Sequence, residues 1–593
     1  MTSMALPIIE TGDIFLKDLE YPSAILCYKK ALTYPLEKKS HIRVLNNLAV
    51  AYKRAKLYED AFAILKVGLS HDDAYVPFYS NLASLYRLHN AHQKAADMLQ
   101  KAIALGHQLS DYLALIDLLR HLHQFSDALQ IASSMVRDFP NEYEAHLIVG
   151  NLYTSIKNYP HALIAYQKAI AIDPSKTQAY NNIGVAYKEL GESDNALRAY
   201  ENVLKINSKD AAAFNNLGNL WRSLGQIDKA LASLKQAIVL QSDFADAYSN
   251  IGAIYKEKKN YALAMPYYQK ALALNPNHTN ANFDVALIEL SLGNYRGGWK
   301  RYEHRLKMSE LLVKTQPYKT PMWRGQSLVG KTLLLQNEQG YGDNIMFIRY
   351  APLLAKLGAR VLVRTRTELM ELFRSIPAIQ AIYSEEEAIP EHDYYLPLLS
   401  APFYLGTTRE TIPSTFPYLM SSQKYSYDFK PRHYHIGLVW SGSNTHKGHH
   451  ERYVGLERFK DLLDCEGIVW HSLQVGQDAD EIKQQGLEEK IIDHSAELTT
   501  FAKTASLINH LDMVITTDTS VAHLCGALDK KGFVLVPHPA DWRWGQEGDT
   551  APWYRSLTLL RQEEHGNWHT VMMKLKEQLE QLREGRETLG GRC

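Results

Sequence analysis

The spacing of apolar positions changes once along the chain, shortly after residue 300. Before that point small and aromatic residues recur at the spacing of packed helices, and Gly150, Gly184, Gly218 and Gly252 each lie 34 residues from the last. Beyond it, short apolar runs (KTLLLQ, ARVLVRT, HIGLVWSG, IVWHSLQ, DMVITT, GFVLVP) alternate with helical segments. This pattern predicts a helical first half and an α/β second half with parallel sheets.

The 34-residue period is typical of the tetratricopeptide repeat (TPR), in which small residues let two antiparallel helices approach and aromatic residues fill the space between units. Eight clear units and a degenerate ninth near 279–300 can be counted. Stacked repeats form an α-solenoid, a superhelix with a concave groove. Residues 1–300 are therefore predicted to be a TPR array that binds a protein partner.

Prolines and glycines punctuate the segment after the array, so residues 301–325 are predicted to be a linker. Two Rossmann-like lobes are then expected, over 326–425 and 426–593. The segment HDYYLPLLSAPFYLGTTRETIP in the first lobe has the composition of a loop-rich region. A two-lobed α/β protein binds its ligand outside the carboxyl ends of the strands.

The charge balance excludes some classes of partner. Lys+Arg and Asp+Glu both number 65, so the net charge is zero and nothing indicates nucleic acid or an anionic membrane. Four scattered cysteines make neither a disulfide framework nor a zinc site. The start, MTSMALPIIETGDIF, lacks the pattern of a signal peptide, and no apolar run has the length of a membrane span. We expect a cytoplasmic protein without membrane insertion.

The stretch NEQGYGDN follows the first strand of the first lobe and opens a helix. Gly340 and Gly342 can adopt positive φ and let a ligand come close to the backbone. Asp343 stands at the helix start, in the predicted cleft. It is also a preferred helix-capping residue, and this alternative stays open.

The stretch DMVITTDTSVAHLCGAL places Asp518, Thr519 and Ser520 between a strand and a helix. Hydroxyl groups and free N–H groups at a helix N-terminus make an anion site, which suits a phosphate or diphosphate. His523 lies one turn into that helix and is expected to face the cleft. A plain cap by Asp518 or Thr519 is the alternative.

The polar loop WSGSNTHKGHHERY opens the second lobe. Its Lys447 and Arg452 are placed to neutralise phosphate charge. The loop also holds His446, His449 and His450, but no carboxylate or cysteine accompanies them at ligand spacing, so no metal site is predicted.

Asparagines recur before an apolar position of the repeats, and Asn182, Asn216 and Asn250, here called the asparagine row, are 34 residues apart. A carboxamide both donates to and accepts from a peptide backbone whatever the side chains are, so the row is a candidate acceptor-peptide site. The alternative is that these amides bond within the repeats.

The region 326–580 resembles GT-B glycosyltransferases of the lipopolysaccharide heptosyltransferase type. The pieces that carry the resemblance are EQGYGDNIMFIRY, GLVWSGSNTHKG, TTDTSVAHLCGAL and PADWRWGQEGDTAPWYRSLTLLRQ. The whole chain looks like the bacterial TPR-containing glycosyltransferases. Its layout is similar to that of protein O-GlcNAc transferase and of some flagellin glycosyltransferases.

The resemblance implies a metal-independent, inverting transfer from a nucleotide sugar, with no other cofactor. Asp343 matches the general base and Asp518 the acidic residue that faces the donor sugar. Lys447 matches the basic residue at the donor phosphates. Thr519 and Ser520 match the phosphate-binding turn, which His523 follows. The first lobe is shorter than in the heptosyltransferases, which favours a polypeptide acceptor, flagellin among the possibilities, over a lipid.

Three functions remain open from the sequence. The first is protein O-glycosylation with the acceptor held by the array. The second is transfer to a glycan or lipid precursor, with the array used for docking to a complex. The third is a non-catalytic TPR scaffold. The presence of Asp343, Lys447, Asp518 and Thr519 counts against the third.

Overall fold

The computed structural model describes residues 2–308, 318–421, 429, 433–442 and 449–590. The chain divides into two compact units, Met1–Ser242 and Asp243–Cys593. The second unit contains the last helices of the repeats together with the α/β region. Within the described part of the chain, none of the helices combines the length and the apolar character that a membrane crossing requires.

The first unit consists of antiparallel helix pairs in the order that the 34-residue period predicts. The helices are α1 Thr2–Lys17, α2 Tyr21–Ala31, α3 Lys38–Arg54, α4 Tyr58–His71, α5 Val76–Leu88, α6 His92–Gly106, α7 Leu109–His121, α8 Phe125–Asp138, α9 Tyr143–Ser155, α10 Tyr159–Ile172, α11 Thr177–Glu189, α12 Ser193–Ile206, α13 Ala211–Ser223 and α14 Ile227–Leu240.

Glycine lets the two helices of a repeat cross closely. A Cβ on Gly150 would lie 2.3 Å from a ring carbon of Tyr166, and one on Gly218 would lie 2.5 Å from Cγ of Leu234. No side chain fits in that space, because carbon atoms in contact lie about 3.5–4.0 Å apart. The predicted role of the small residues at the helix crossings is confirmed.

The second unit begins with four more helices, α15 Ala245–Glu257, α16 Tyr261–Leu274, α17 Thr279–Ser291 and α18 Tyr295–Tyr302. The pair α17 and α18 is the degenerate ninth repeat. A 3₁₀ turn, Glu303–Lys307, continues from α18, and its Arg305 is fully buried. Residues 301–308 and the buried Trp323, all within the predicted linker 301–325, are therefore part of a folded core, and 309–317 lie outside the described residues.

The first lobe is built on a four-stranded parallel sheet. Its strands are β1 Thr332–Gln336, β2 Arg360–Thr365, β3 Ile379–Ser384 and β4 Tyr394–Pro397, in the order β3-β2-β1-β4. Its helices are α19 Tyr341–Phe347, α20 Ala351–Lys356, α21 Thr367–Phe373 and α22 Ala401–Tyr404. Strand β4 lies in the segment that was expected to be loop-rich, so that expectation is wrong there.

The second lobe is built on a seven-stranded sheet in the order β10-β11-β9-β8-β5-β6-β7, in which β10 is the antiparallel edge. The strands are β5 Tyr434–Val439, β6 Ile468–Ser472, β7 Ile491–Asp493, β8 Met513–Thr517, β9 Gly532–Val536, β10 Thr550–Ala551 and β11 Tyr554–Arg561. The helices are α23 His449–Arg452, α24 Lys460–Leu463, α25 Glu481–Gln484, α26 Phe501–His510, α27 Ser520–Ala527 and α28 His569–Gly590.

The two faces of the second sheet belong to different hydrophobic cores. Val514 points into a core that also contains the first lobe and the helix pair α17 and α18, whereas Ile515 points into a core with α28. Successive strand residues alternate between faces, so the sheet is covered on both sides. The α/β prediction for this region is confirmed. The assignment to the GT-B fold remains a prediction.

Candidate functional site

The loop between β1 and α19 is held by the amide of Asn344. This fully buried side chain donates to the carbonyl of Gly340 (2.7 Å) and to that of Glu338 (2.8 Å). The left-handed residue of the loop is Gln339, at φ +52°, and Gly340 has φ −84°. Gly340 therefore does not use the positive φ that a glycine can adopt, because the chain makes its left-handed turn one residue earlier. Gly342 lies within α19.

Asp343 occupies the first turn of α19. Its Oδ2 accepts the N–H of Gly340 at 3.1 Å, so the helix-capping role is present. Its Oδ1 accepts a hydrogen bond from Nη2 of Arg543 in the second lobe. Each carboxylate oxygen has two lone pairs, so both oxygens retain room for a further donor. The two hydrogen bonds fix the position of the Asp343 carboxylate, and each oxygen can still accept another hydrogen bond.

Arg543 joins Asp343 to a second carboxylate. Its Nη1 donates to Oδ1 of Asp541 at 2.7 Å, and the guanidinium lies 4.4 Å from the centre of the Trp542 ring. Burial of Asp541 disfavours its charge, but the charge and hydrogen bonds of Arg543 outweigh that effect and hold the pKa of Asp541 below its usual value. This pair of carboxylates around one guanidinium carries a net negative charge.

The second candidate loop connects β8 to α27. Asp518 is buried, and its carboxylate lies 3.5 Å from Nε of Arg452. The Thr519 hydroxyl pairs with that of Thr516 at 3.0 Å and makes no cap hydrogen bond to α27. Because Thr519, at the cap position, leaves the helix end uncapped, the first N–H groups of α27 keep their capacity for an anion.

The two candidate loops meet at Gly342. A Cβ there would lie 2.6 Å from Cδ2 of His523 and 3.5 Å from Cα of Ser520. The close approach that this glycine permits is therefore to α27. The N-terminal ends of α19 and α27 are thereby brought side by side, with Asp343 on one and Ser520 on the other. The sequence predicts the residues of this junction but not the helix contact.

His523 is the residue of α27 that lies against Gly342. Its ring is buried, stacks on Trp544 with centroids 5.2 Å apart, and its Nδ1 pairs with the Tyr554 hydroxyl at 2.9 Å. Burial lowers the pKa of His523 to about 3, with a smaller contribution from Arg543. The expectation that His523 faces the cleft is not met, because its ring is enclosed by Gly342 of α19, Trp544 and Tyr554. A neutral imidazole here supplies no positive charge.

The donor-side residue Lys447 and the histidines of its loop lie wholly or partly outside the described part of the chain. Lys447 and His446 lie wholly outside it, and the same holds for the side chains of His449 and His450. Arg452 is the cation of that loop that the structure does describe, and its Nη1 lies 3.4 Å from the carbonyl oxygen of Asp518. Among the described residues, no group of three or more His, Cys, Asp and Glu side chains is placed to hold a metal ion.

Two amides of the asparagine row, those of Asn182 and Asn216, bond between neighbouring repeats. Asn182 donates to Oδ1 of Asn151 at 2.8 Å, and Asn216 donates to Oδ1 of Asn181 at 3.3 Å. Asn81 makes the corresponding bond to Asn46 at 3.0 Å. These contacts give Asn182 and Asn216 a role in stacking one repeat on the next, whereas the sequence alternative placed the bonds within the repeats. Peptide binding by the remaining lone pairs and protons stays a prediction.

Two arginines of the site were not singled out from the sequence. Arg543 pairs with Asp343 across 200 residues of chain, and Arg305 pairs with Glu338 beside the first loop. The stretch PADWRWGQEGDT carries Arg543 between two tryptophans, and this unusual composition is the signal that was available. Nothing in the local pattern around Arg305 marks it as buried.

Comparison with known proteins supports the repeats. A TPR repeat model matches residues 150–191 and 218–259, and a tetratricopeptide repeat model matches 177–210 and 245–278. Protein FlbA of Caulobacter vibrioides is 26% identical over 326 residues, which cover 48% of this chain and 52% of that protein. The chain thus spans about half of the length of that relative.

Solved structures of tetratricopeptide repeat proteins match part of the chain with low TM-scores. A thermophilic TPR protein of Thermus thermophilus is 24% identical and covers 29% of this chain and 95% of its own, with a TM-score of 0.28. A tetratricopeptide repeat protein of Parabacteroides merdae is 18% identical and covers 47% of this chain and 97% of its own, with a TM-score of 0.32. From the matches of the two repeat models, residues 150–278 of the chain contain tetratricopeptide repeats.

Proposed function

We propose that the protein is an O-glycosyltransferase that moves a sugar from a nucleotide sugar to a Ser or Thr hydroxyl of a polypeptide held by the TPR array. The observation that carries the proposal is the contact of α19 with α27 at Gly342. It brings a fixed carboxylate, Asp343, next to a helix N-terminus that has no side-chain cap. A base and an anion site side by side are what such a transfer requires.

The donor side of the proposed reaction uses α27 and the residues around it. The diphosphate of the donor binds at the N–H groups of Ser520 and its neighbours, where the helix dipole favours negative charge. Arg452 lies against the same loop, and Lys447 comes from the loop just before it in the chain. As the bond from the sugar to the diphosphate breaks, these groups take up the charge that develops on the leaving oxygen.

The acceptor side uses Asp343. The hydroxyl oxygen of the acceptor attacks the anomeric carbon, and its proton passes to a carboxylate oxygen of Asp343 as the new glycosidic bond forms. Arg543 keeps this carboxylate oriented before the reaction. Asp541 also pairs with Arg543 and offsets part of its positive charge. The attraction between Arg543 and the base, Asp343, is therefore weaker than it would be in an isolated ion pair.

The repeats support a polypeptide as acceptor. TPR arrays present a groove to protein partners, and residues 150–278 carry such repeats. The transfer to Ser or Thr, and flagellin as one acceptor, rest on the resemblance of the chain to TPR-containing glycosyltransferases.

A second candidate function is a TPR scaffold without catalysis. The observation that favours it is that both oxygens of Asp343 have structural partners, the N–H of Gly340 and the guanidinium of Arg543. In a scaffold these contacts would only join the two lobes.

The experiment that separates these functions compares Asp343→Asn with Asp541→Asn. Both variants remove one carboxylate from the same guanidinium, but Asp343 alone is the proposed base. Hydrolysis of uridine, guanosine, adenosine and cytidine nucleotide sugars by the full chain is measured, with binding of each by calorimetry. We expect Asp343→Asn to lower the rate by about 10²–10⁴ with donor binding retained, because that is the usual cost of losing a general base.

Asp541→Asn should lower the rate much less. An equal loss in both variants would make Asp343 a structural residue. A wild-type chain that neither binds nor hydrolyses any nucleotide sugar of the panel would favour the scaffold.

A further inference from the structure

The end of the ninth repeat contacts the loop that precedes Asp343. Tyr302, the last residue of α18, is buried, and its hydroxyl accepts a hydrogen bond from Nε2 of Gln339 at 3.2 Å. Gln339 is the left-handed residue of that loop. The contact therefore fixes the residue at which the loop reverses direction before α19.

Arg305 contacts the same loop at Glu338, one residue before Gln339. Its Nε and Nη2 donate to the two carboxylate oxygens of Glu338 at 3.0 and 2.8 Å, and Nη2 also reaches the hydroxyl of Ser400 at 2.8 Å. Glu338 further accepts the N–H of Leu399 at 2.9 Å. Arg305 is fully buried, and despite that burial the charges of Glu338 and Glu303 raise its pKa above the usual value. This two-point contact has a fixed geometry that a lysine cannot reproduce.

The other loop of the site rests on the same helix. Trp542, which precedes Arg543, packs edge to face against Trp299 and Tyr302, with ring centroids 5.4 Å and 6.2 Å apart, respectively. Trp299 is also buried and belongs to the core that contains both lobes. One short helix and its 3₁₀ turn thus touch the loop of Asp343 and the loop of Arg543.

We infer that α18 and the turn after it are a positioning element of the candidate site, in which Arg305, Tyr302 and Trp299 set the geometry of the Asp343–Arg543 pair. None of the three residues is proposed to touch the substrate. Their effect on rate rests on the proposed transfer reaction, whereas their effect on the loops does not. The last repeat then contributes directly to the site, beyond any part that it takes in holding an acceptor.

The test uses Arg305→Lys and Tyr302→Phe in the full chain. Arg305→Lys keeps the charge but loses the two-point contact, and Tyr302→Phe removes one hydroxyl and keeps the ring. Lys300→Gln, at an exposed position of the same helix, is the matched control. Amide hydrogen exchange is followed over 338–347 and 541–545, with the strand 436–439 as an internal reference.

We expect exchange at 338–347 to rise about tenfold in Arg305→Lys and less in Tyr302→Phe, since charged hydrogen bonds are worth more than neutral ones. The reference strand and the control variant should stay unchanged. In hydrolysis of the nucleotide sugar that the wild type turns over fastest, kcat should fall in step with the exchange rate while KM stays constant.

Three outcomes would overturn the inference. They are unchanged exchange at both loops in a folded Arg305→Lys and Tyr302→Phe, a rise that includes the reference strand equally, or a raised KM with kcat intact. If Arg305→Lys does not fold, Tyr302→Phe decides. A wild-type chain without hydrolysis would remove the proposed function but leave the exchange result standing, so the two failures can be told apart.

Discussion

Gly342→Ala tests the helix contact on which the site depends. The added Cβ would stand 2.6 Å from Cδ2 of His523, about 1 Å inside normal carbon contact. His523 cannot move away freely, because its ring is stacked on Trp544 and its Nδ1 is bonded to the Tyr554 hydroxyl. Overpacking of this kind costs about 1–3 kcal/mol. Alanine recovers about 0.5–1 kcal/mol over glycine within a helix, so the net loss lies between about 0 and 2.5 kcal/mol and is expected near 1 kcal/mol.

Gly340→Ala is the matched control in the same loop. A Cβ there would meet only Oδ2 of Asp343, at 3.3 Å, and φ at this position is −84°, which alanine adopts readily. We expect its stability to stay within about 0.5 kcal/mol of wild type. Urea denaturation of both variants, followed by tryptophan fluorescence, provides the comparison.

The outcome that would refute the reasoning is a Gly342→Ala chain as stable as Gly340→Ala or more so. Alanine would then bring only its helix propensity, and α19 would not lie against α27. A double variant, Gly342→Ala with His523→Ala, sharpens the result. If the clash is real, the two changes should couple, and the double variant should lose less stability than the sum of the single ones.

Three further predictions follow from the titration, the anion site and the repeats. His523 and His471 are buried and neutral, and burial lowers the pKa of each from the ordinary value of 6.5 to about 3. Below pH 6.5 the unfolded chain therefore binds more protons than the folded chain. As the pH falls from about 7 to 5, each histidine should lower the free energy of unfolding by about 2 kcal/mol. Urea denaturation at both pH values measures this loss, which should be smaller in the His523→Gln and His471→Gln variants. Arg452→Gln and Lys447→Ala should each weaken binding of nucleoside diphosphates in calorimetry, and unchanged affinity in both would move the donor site elsewhere. Replacing the asparagine row by alanine should weaken acceptor binding and leave donor hydrolysis unchanged, whereas a variant that melts lower but still glycosylates normally would make the row purely structural.

The elements with a strong period could be predicted from the sequence. The repeats follow from their 34-residue spacing, and their glycines lie at the helix crossings as expected. Strands such as β1 and β8 are continuous apolar runs because both faces of their sheets are covered. By contrast, β4 is only four residues long and ends in Pro397, and β3 is half-buried, so neither has a distinctive pattern.

The contacts of the site were harder to predict. Asp343 and Arg543 lie 200 residues apart, and a sequence pattern has no means of pairing side chains over that distance. The role of Gly342 depends on which residue of another helix lies opposite to it. His523 follows a polar turn, which suggested an exposed position, but it lies in a helix in which residues 521–527 are all buried.

The shared core of the ninth repeat and the two lobes has a consequence for how the length of the protein can change in evolution. In Met1–Ser242 each helix pair packs on its sequence neighbours, so duplication or loss of a whole 34-residue unit leaves the remaining interfaces intact. The same event at α17 and α18 would remove Trp299 and Tyr302 from the core beneath the site. Variation in repeat number is therefore expected to be confined to the first unit, with the final helix pair retained wherever the lobes are.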